Sequence, residues 1–317
     1  MKIISTILPA GCLAAVLGIA IGQNDKVKDK FAVAPEKVNQ IAAAMPEKTP
    51  APFKKKHPVL VFTKTCTFRH GSIPVGVESM KQLGAKTGLF EVTHTEDESV
   101  FEPDSLKQFD AVILLNTTGE IFKSAEAGRE DRLKKSFVDF IASGKGIIGM
   151  HAAGDTYNDW PVYAEIMGTG FQEHPWTSGE TVRVKNLDPK HPLNAAFKGE
   201  GLTIKDEIYK FKPGRAQPDS RRMLLALDPS GTDLLKDDKD KDGKPDREFY
   251  PIAWLDTHEK GRVFYCSLGH NDEVYMNPIV VGHYLAGIQY ALGELEADAA
   301  PMKVAMLDNE GRVVVKN

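Results

Sequence analysis

The sequence predicts an α/β fold: an open, mostly parallel sheet with helices on both faces, plus short added strands in the C-terminal half. Three observations carry that expectation. Short apolar runs recur through the first 150 residues, segments of helical periodicity separate them, and beyond Glu180 the pattern changes to short strands and turns.

Val59-Leu60-Val61-Phe62 is a continuous apolar run, as expected of a strand buried on both faces of a parallel sheet. Phe90-Glu91-Val92 is a weaker second strand, Ala111 to Leu115 a strong third and Gly146 to Met150 a fourth. Between them, Val77 to Thr87 carries Met80 and Leu83 toward one side, and Glu130 to Ser143 repeats Leu133, Phe137, Phe140 and Ile141 at helical spacing before Gly144 stops it. A short helix is expected over residues 161–167. Thr181 to Val184 and Met223 to Leu227 are short strands of the second half, and Val263 to Cys266 reads as the last core strand. A helix opens with Asn277 as N-cap and Pro278 in the first turn, and runs to about Leu292. Residues 303–316 read as a small hairpin turning at Asn309-Glu310-Gly311. No internal repeat and no second core is evident.

The 317 residues are 42% hydrophobic, enough for one sizeable core, and the net charge of -4 gives no electrostatic footprint for nucleic acid or an anionic membrane. At the N-terminus, Lys2 precedes an apolar stretch from Ile3 to Ile21, which ends in Ala20-Ile21-Gly22 and turns polar at Gln23. Residues 1–22 therefore read as a cleaved signal peptide, implying a periplasmic or secreted protein with no stable membrane insertion after cleavage. Residues 23–56 read as a linker with a short helix around Glu36–Met45, residues 57–295 as the α/β domain, and 296–317 as a C-terminal tail. Cys66 and Cys266 then remain; an oxidising compartment permits a bridge, but two cysteines do not make a disulfide framework, and a buried free thiol is common at strand ends.

In open parallel sheets ligands bind beyond the carboxyl ends of the strands, and four histidines sit there. His70 follows the first strand, His151 follows the fourth directly, His174 follows the helix of residues 161–167, and His270 follows the final strand. Each alone reads more readily as a histidine capping a strand end than as a catalytic one; four at convergent strand ends, flanked by glycines, point to a polar ligand site. The turn Gly149-Met150-His151-Ala152-Ala153-Gly154-Asp155 has the small residues of a nucleophile elbow, but its centre is histidine, so covalent acyl chemistry through it is not expected. Asp206-Glu207, before Ile208-Tyr209, pairs two carboxylates suited to sugar hydroxyls, a metal, or base chemistry beside a histidine, or to a solvated turn. Asp238, Asp240, Asp242 and Asp246 around Gly243 match the first part of a calcium loop, but Phe249 stands where its bidentate Glu belongs, so a solvated hairpin tip is the default reading and weak calcium binding the alternative.

These motifs together resemble the ThuA-like (trehalose utilisation) family. The resemblance rests on Thr63-Lys64-Thr65 through Phe68-Arg69-His70-Gly71-Ser72-Ile73, Gly149-Met150-His151-Ala152-Ala153, Met167-Gly168 through His174-Pro175, His191-Pro192, Asp206-Glu207-Ile208-Tyr209, Ala253-Trp254, and Gly261 to Tyr265 through Ser267-Leu268-Gly269-His270. It implies a flavodoxin-like sheet similar to class I glutamine amidotransferases, with His151 at the elbow where those enzymes carry Cys and His270 at the position of its partner. Amidotransfer is thereby put in doubt, while a substrate class of disaccharides, glycosides or their 3-keto derivatives is implied.

The expected site has His151, His270 and Glu207 as catalytic groups, and Arg69, His70, Asp155, His174, Asp206 and Asn271 positioning a sugar. A divalent metal such as zinc, held by some of His70, His151, His174, His270 and Glu207, suits the mixed imidazole and carboxylate set, although no short ligand spacing supports it. No nucleotide cofactor is expected. Three readings remain: a lyase, isomerase or hydrolase acting on a sugar, a non-catalytic sugar-binding module with the same cleft, and a metal-dependent hydrolase of a non-sugar ester or amide.

Overall fold

The computed structural model describes residues 30–228, 230, 232, 249–302, 305–307 and 313–315. The expected signal peptide, the Asp238–Asp246 loop and the turn at 309–311 lie outside the described residues. In chain order the helices are α1 (Pro35–Ala44), α2 (Ile73–Thr87), α3 (Pro103–Leu106), α4 (Arg129–Ala142), α5 (Pro161–Met167) and α6 (Pro278–Ala291). The strands are β1 (His57–Phe62), β2 (Phe90–Thr95), β3 (Ala111–Leu115), β4 (Gly146–Met150), β5 (Phe171–Trp176), β6 (Thr181–Asn186), β7 (Leu202–Lys205), β8 (Ile208–Phe211), β9 (Arg222–Leu227), β10 (Pro251–His258), β11 (Gly261–Cys266), β12 (Ala305–Leu307) and β13 (Val313–Val315).

Among the described residues, nine strands form one sheet in the order β2-β1-β3-β4-β11-β10-β9-β6-β7. The five from β2 to β11 are parallel, in the flavodoxin-like order, and the remaining four extend the sheet antiparallel. Alternation along the strands separates two apolar layers. Val59 and Val61 of β1 and Ile113 of β3 pack with α2 and α6, while Leu60, Phe62, Val112 and Leu114 pack on the opposite face with α4 and α5. Helix α4 shows the one-sided pattern expected of a surface helix, with Leu133, Phe137, Phe140 and Ile141 buried, whereas α6 is buried nearly all round. Its cap is the expected one: Asn277 accepts from the Ile279 and Val280 amides. Helix α2 begins at Ile73 rather than Val77, because Pro74 is placed in its first turn.

The described part of the segment read as a linker is packed rather than extended: α1 seats Ile41 and Met45 in the core beside α2. Cys66 and Cys266 are free thiols, one exposed and one buried. No helix among the described residues is long and apolar enough to cross a membrane. One departure from the strand pattern matters for the site. Strands β5 and β8 leave the main sheet and pair only with each other, with register shifts at Glu173 and Trp176, and this ribbon carries His174 and the Asp206-Glu207 turn that precedes β8.

Candidate metal centre

The parallel strands β1, β4 and β11 end on the same side of the sheet, so the loops after them deliver His70, His151 and His270 to one place. His151 sits in the sharp turn after β4 with φ of 45°, a conformation that side chains larger than glycine adopt only when the surroundings hold them. Here they do. The Tyr265 hydroxyl donates to the His151 carbonyl at 2.6 Å, and the Tyr163 hydroxyl donates to the Ala153 carbonyl at 2.7 Å. The small residues are needed for this approach: a Cβ on Gly269, whose φ is 136°, would lie 2.7 Å from the Tyr275 hydroxyl and 3.1 Å from the His151 Cβ.

His151 Nδ1 lies 2.7 Å from the Ser267 carbonyl oxygen, which only accepts, so the proton is assigned to Nδ1 and the lone pair to Nε2. That Nε2 is 3.2 Å from His70 Nε2 and 3.4 Å from Glu207 Oε2, and His270 Nδ1 is 3.2 Å from the same Oε2. The three imidazole rings stand nearly perpendicular to one another, with centroids 4.7, 5.0 and 5.4 Å apart. One ligand atom from each of His70, His151, Glu207 and His270 lies within 4.8 Å of all the others. His70 Nδ1 is buried without a hydrogen-bond partner, and His270 Nδ1 meets Glu207 Oε2 at 3.2 Å as a charge contact outside hydrogen-bond geometry.

The electrostatics of this group are uneven. Burial, reinforced by the neighbouring His151 and His270, pushes the His70 imidazole down to about 2. Burial alone would raise the Glu207 carboxyl, but His151 and His270 outweigh it and hold the carboxyl well below its usual range. His270 is raised in turn by Glu207.

These residues fit a divalent ion. With ligand bonds of about 2.0–2.1 Å, a tetrahedral zinc site separates its ligand atoms by roughly 3.4 Å, and the three close separations are 3.2, 3.4 and 3.2 Å. The Ser267 carbonyl on the far nitrogen of His151 stands where an outer partner would fix the tautomer and ring plane of a ligand histidine.

The sequence matches the family described as ThuA, trehalose utilisation, over residues 58–291. The chain belongs to the ThuA family. Two crystal structures of ThuA-like proteins share its fold. One, from Bacteroides uniformis, is 21% identical with a TM-score of 0.54, covering 76% of this chain and 94% of that one. The other, from Parabacteroides merdae, is 18% identical with a TM-score of 0.53, covering 83% and 98%. No curated protein matches the sequence.

Within this ThuA chain the expected site residues separate into distinct positions. His174 stands at the rim, its side chain 49% exposed and its Nδ1 3.6 Å from Glu207 Oε1, outside the four-ligand group. Asp206 is fully buried, and its oxygens accept from the Gly269 amide at 2.7 Å and the Asn271 amide at 3.0 Å, which leaves it holding backbone rather than facing a ligand. Asn271 likewise donates its side-chain amide to the Ser178 and Lys205 carbonyls. Asp155 is half-buried beside the cluster, with its carboxyl pushed up by burial and by Glu207. Arg69 pairs with Glu96 at 2.6 Å, beyond the end of β2. Sequence reasoning missed the Ser267 carbonyl, Tyr209, whose ring packs 4.7 Å from His151, and Phe68, whose ring edge meets His70 at 4.7 Å. A main-chain acceptor leaves no residue signature, but an aromatic two positions from a strand-end histidine is a signal that was available.

Proposed function

We propose that this ThuA-family protein is a carbohydrate-processing enzyme whose His70, His151, Glu207 and His270 hold a divalent ion of the zinc class. Its substrate is a disaccharide or glycoside, or a 3-keto derivative of one. The observation that supports the centre is the convergence of three imidazole nitrogens and a carboxylate oxygen at coordination spacing, beyond the ends of the parallel strands. The family's description, trehalose utilisation, supports the substrate class.

A bound divalent ion would polarise a sugar carbonyl or a hydroxyl oxygen, as a Lewis acid does. The chain's own groups prepare and use that effect. The Ser267 carbonyl keeps the His151 Nδ1 proton in place, so Nε2 stays a ligand rather than a proton donor. The Asp206 carboxylate fixes the backbone on both sides of His270. His174 Nδ1 and the Asp155 carboxylate, outside the four ligands, are the groups left to move protons. A ketone acidifies the C–H beside it; either group takes that proton and returns it to the leaving oxygen or to the neighbouring carbon, giving elimination or isomerisation. We further propose export, on the apolar segment from Ile3 to Ile21.

Untagged protein purified from its own cells should carry about one zinc-class ion per chain, begin near Gln23 by intact mass, and convert 3-keto disaccharides until a chelator removes the ion. Full turnover by metal-free protein overturns the centre. Sugar-dependent thermal stabilisation with no product formed on native or 3-keto sugars replaces the enzyme with a binding module.

A further inference from the structure

Phe68 is the most exposed large apolar side chain among the described residues, at 60%, and it stands at the cluster. Its ring meets His70 edge-on at 4.7 Å and 81°, and lies near parallel to His270, 6.4 Å away and inclined by 22°. An exposed phenyl on a loose loop would be unremarked, but this loop is pinned. The Cys66 amide donates to the Thr118 carbonyl at 2.8 Å, the Thr67 amide donates to the Thr118 hydroxyl at 3.3 Å, and that hydroxyl donates to the Phe68 carbonyl at 2.9 Å. Thr118 itself is fully buried, just beyond β3. Arg69 is tied to Glu96, so it lends the Phe68 ring no cover. The chain thus holds the backbone of Phe68 in place with its ring in water beside a polar cluster, at a cost that a polar residue would avoid.

We propose that Phe68 is the stacking platform of the site, a substrate-positioning residue that takes the C–H face of a pyranose ring while the oxygens of that ring reach the four-ligand cluster. This rests on the sugar reading above and names the element that selects a ring. The axial C–H hydrogens of a pyranose carry slight positive charge and match the negative face of a phenyl, and a ring borne on a pinned loop lowers the ordering cost of binding. The rival role is a shield that limits the access of water to the cluster without touching substrate.

Binding of trehalose, methyl α-glucoside and their 3-keto derivatives is measured by calorimetry, and turnover of the keto sugars by initial rates, on full-length metal-loaded protein. Phe68→Ala should raise Kd and KM about tenfold, with kcat and zinc content within about twofold of wild type, and Phe68→Trp should restore affinity. Unchanged Kd and KM in Phe68→Ala overturn the platform and leave the sugar reading standing. So does a fall in kcat or in zinc content at constant KM, the signature of the shield. Should the wild type bind none of these sugars, the sugar reading and the platform fall together.

Discussion

Glu207→Gln is expected to weaken zinc binding by at least about a hundredfold and to abolish turnover of keto sugars. The reason lies in what the carboxylate faces. It is the only anion of the four-ligand group, with Oε2 3.4 Å from His151 Nε2 and 3.2 Å from His270 Nδ1. The amide keeps the volume and one carbonyl oxygen, but it removes the charge that balances a divalent cation in a desolvated site. It also turns N–H donors toward nitrogens whose lone pairs are needed as ligands. His174→Ala is the matched comparison, because that ring is half exposed and 3.6 Å from the other oxygen of the same carboxylate. Its zinc affinity should stay within about threefold of wild type, the range of an exposed charge–dipole contact. Competition titration against a chelator measures both. Retained affinity in Glu207→Gln, or an equal loss in His174→Ala, rejects a four-ligand centre in favour of a diffuse histidine patch.

The strands that converge on this centre were legible because burial on both faces leaves a continuous apolar run, as in Ala111 to Leu115. Parallel direction then orders the strand ends, and that alone brings His70, His151 and His270 together across two hundred positions. The Asp206-Glu207 pair was legible as a site but not as two roles. Adjacent residues there face different ways, so Asp206 holds the loop backbone while Glu207 reaches the imidazoles. Apolar periodicity carries no information about which carboxylate takes which direction. The antiparallel half was legible only in part: Thr181 to Val184 and Met223 to Leu227 appear within β6 and β9, but β5, β7, β8 and β10 did not stand out as strands, and the topology was not legible. The strands β5 and β8 have partly polar sequences that fit an edge of the main sheet as well as a separate ribbon, and only the pairing itself decides. Arg69 was drawn to the site by its neighbour His70, whereas Glu96, twenty-seven positions away, holds it elsewhere. Pairings of that separation are set by the fold, not by local sequence.

Asp206→Ala is expected to cost about 2–6 kcal/mol of folding stability, because it strips the acceptor from one buried and one partly buried amide at about 1–3 kcal/mol each. Those amides belong to Gly269 and Asn271, on either side of His270, at 2.7 and 3.0 Å from the carboxylate. Asp206→Asn keeps one acceptor and points N–H at the other amide, so about half the loss should return. Urea unfolding of the metal-free protein measures both, and a loss below about 1 kcal/mol in Asp206→Ala rejects the clamp. Stability by itself does not connect the clamp to the centre, since any buried hydrogen bond would behave so. The connection is that the freed backbone carries a ligand. Asp206→Ala should therefore also weaken zinc binding, and that second effect should largely vanish in a His270→Ala background while the loss of stability remains. A double-mutant cycle separates the two. If the zinc defect adds in full to that of His270→Ala, Asp206 acts on the site by some route other than the loop it holds.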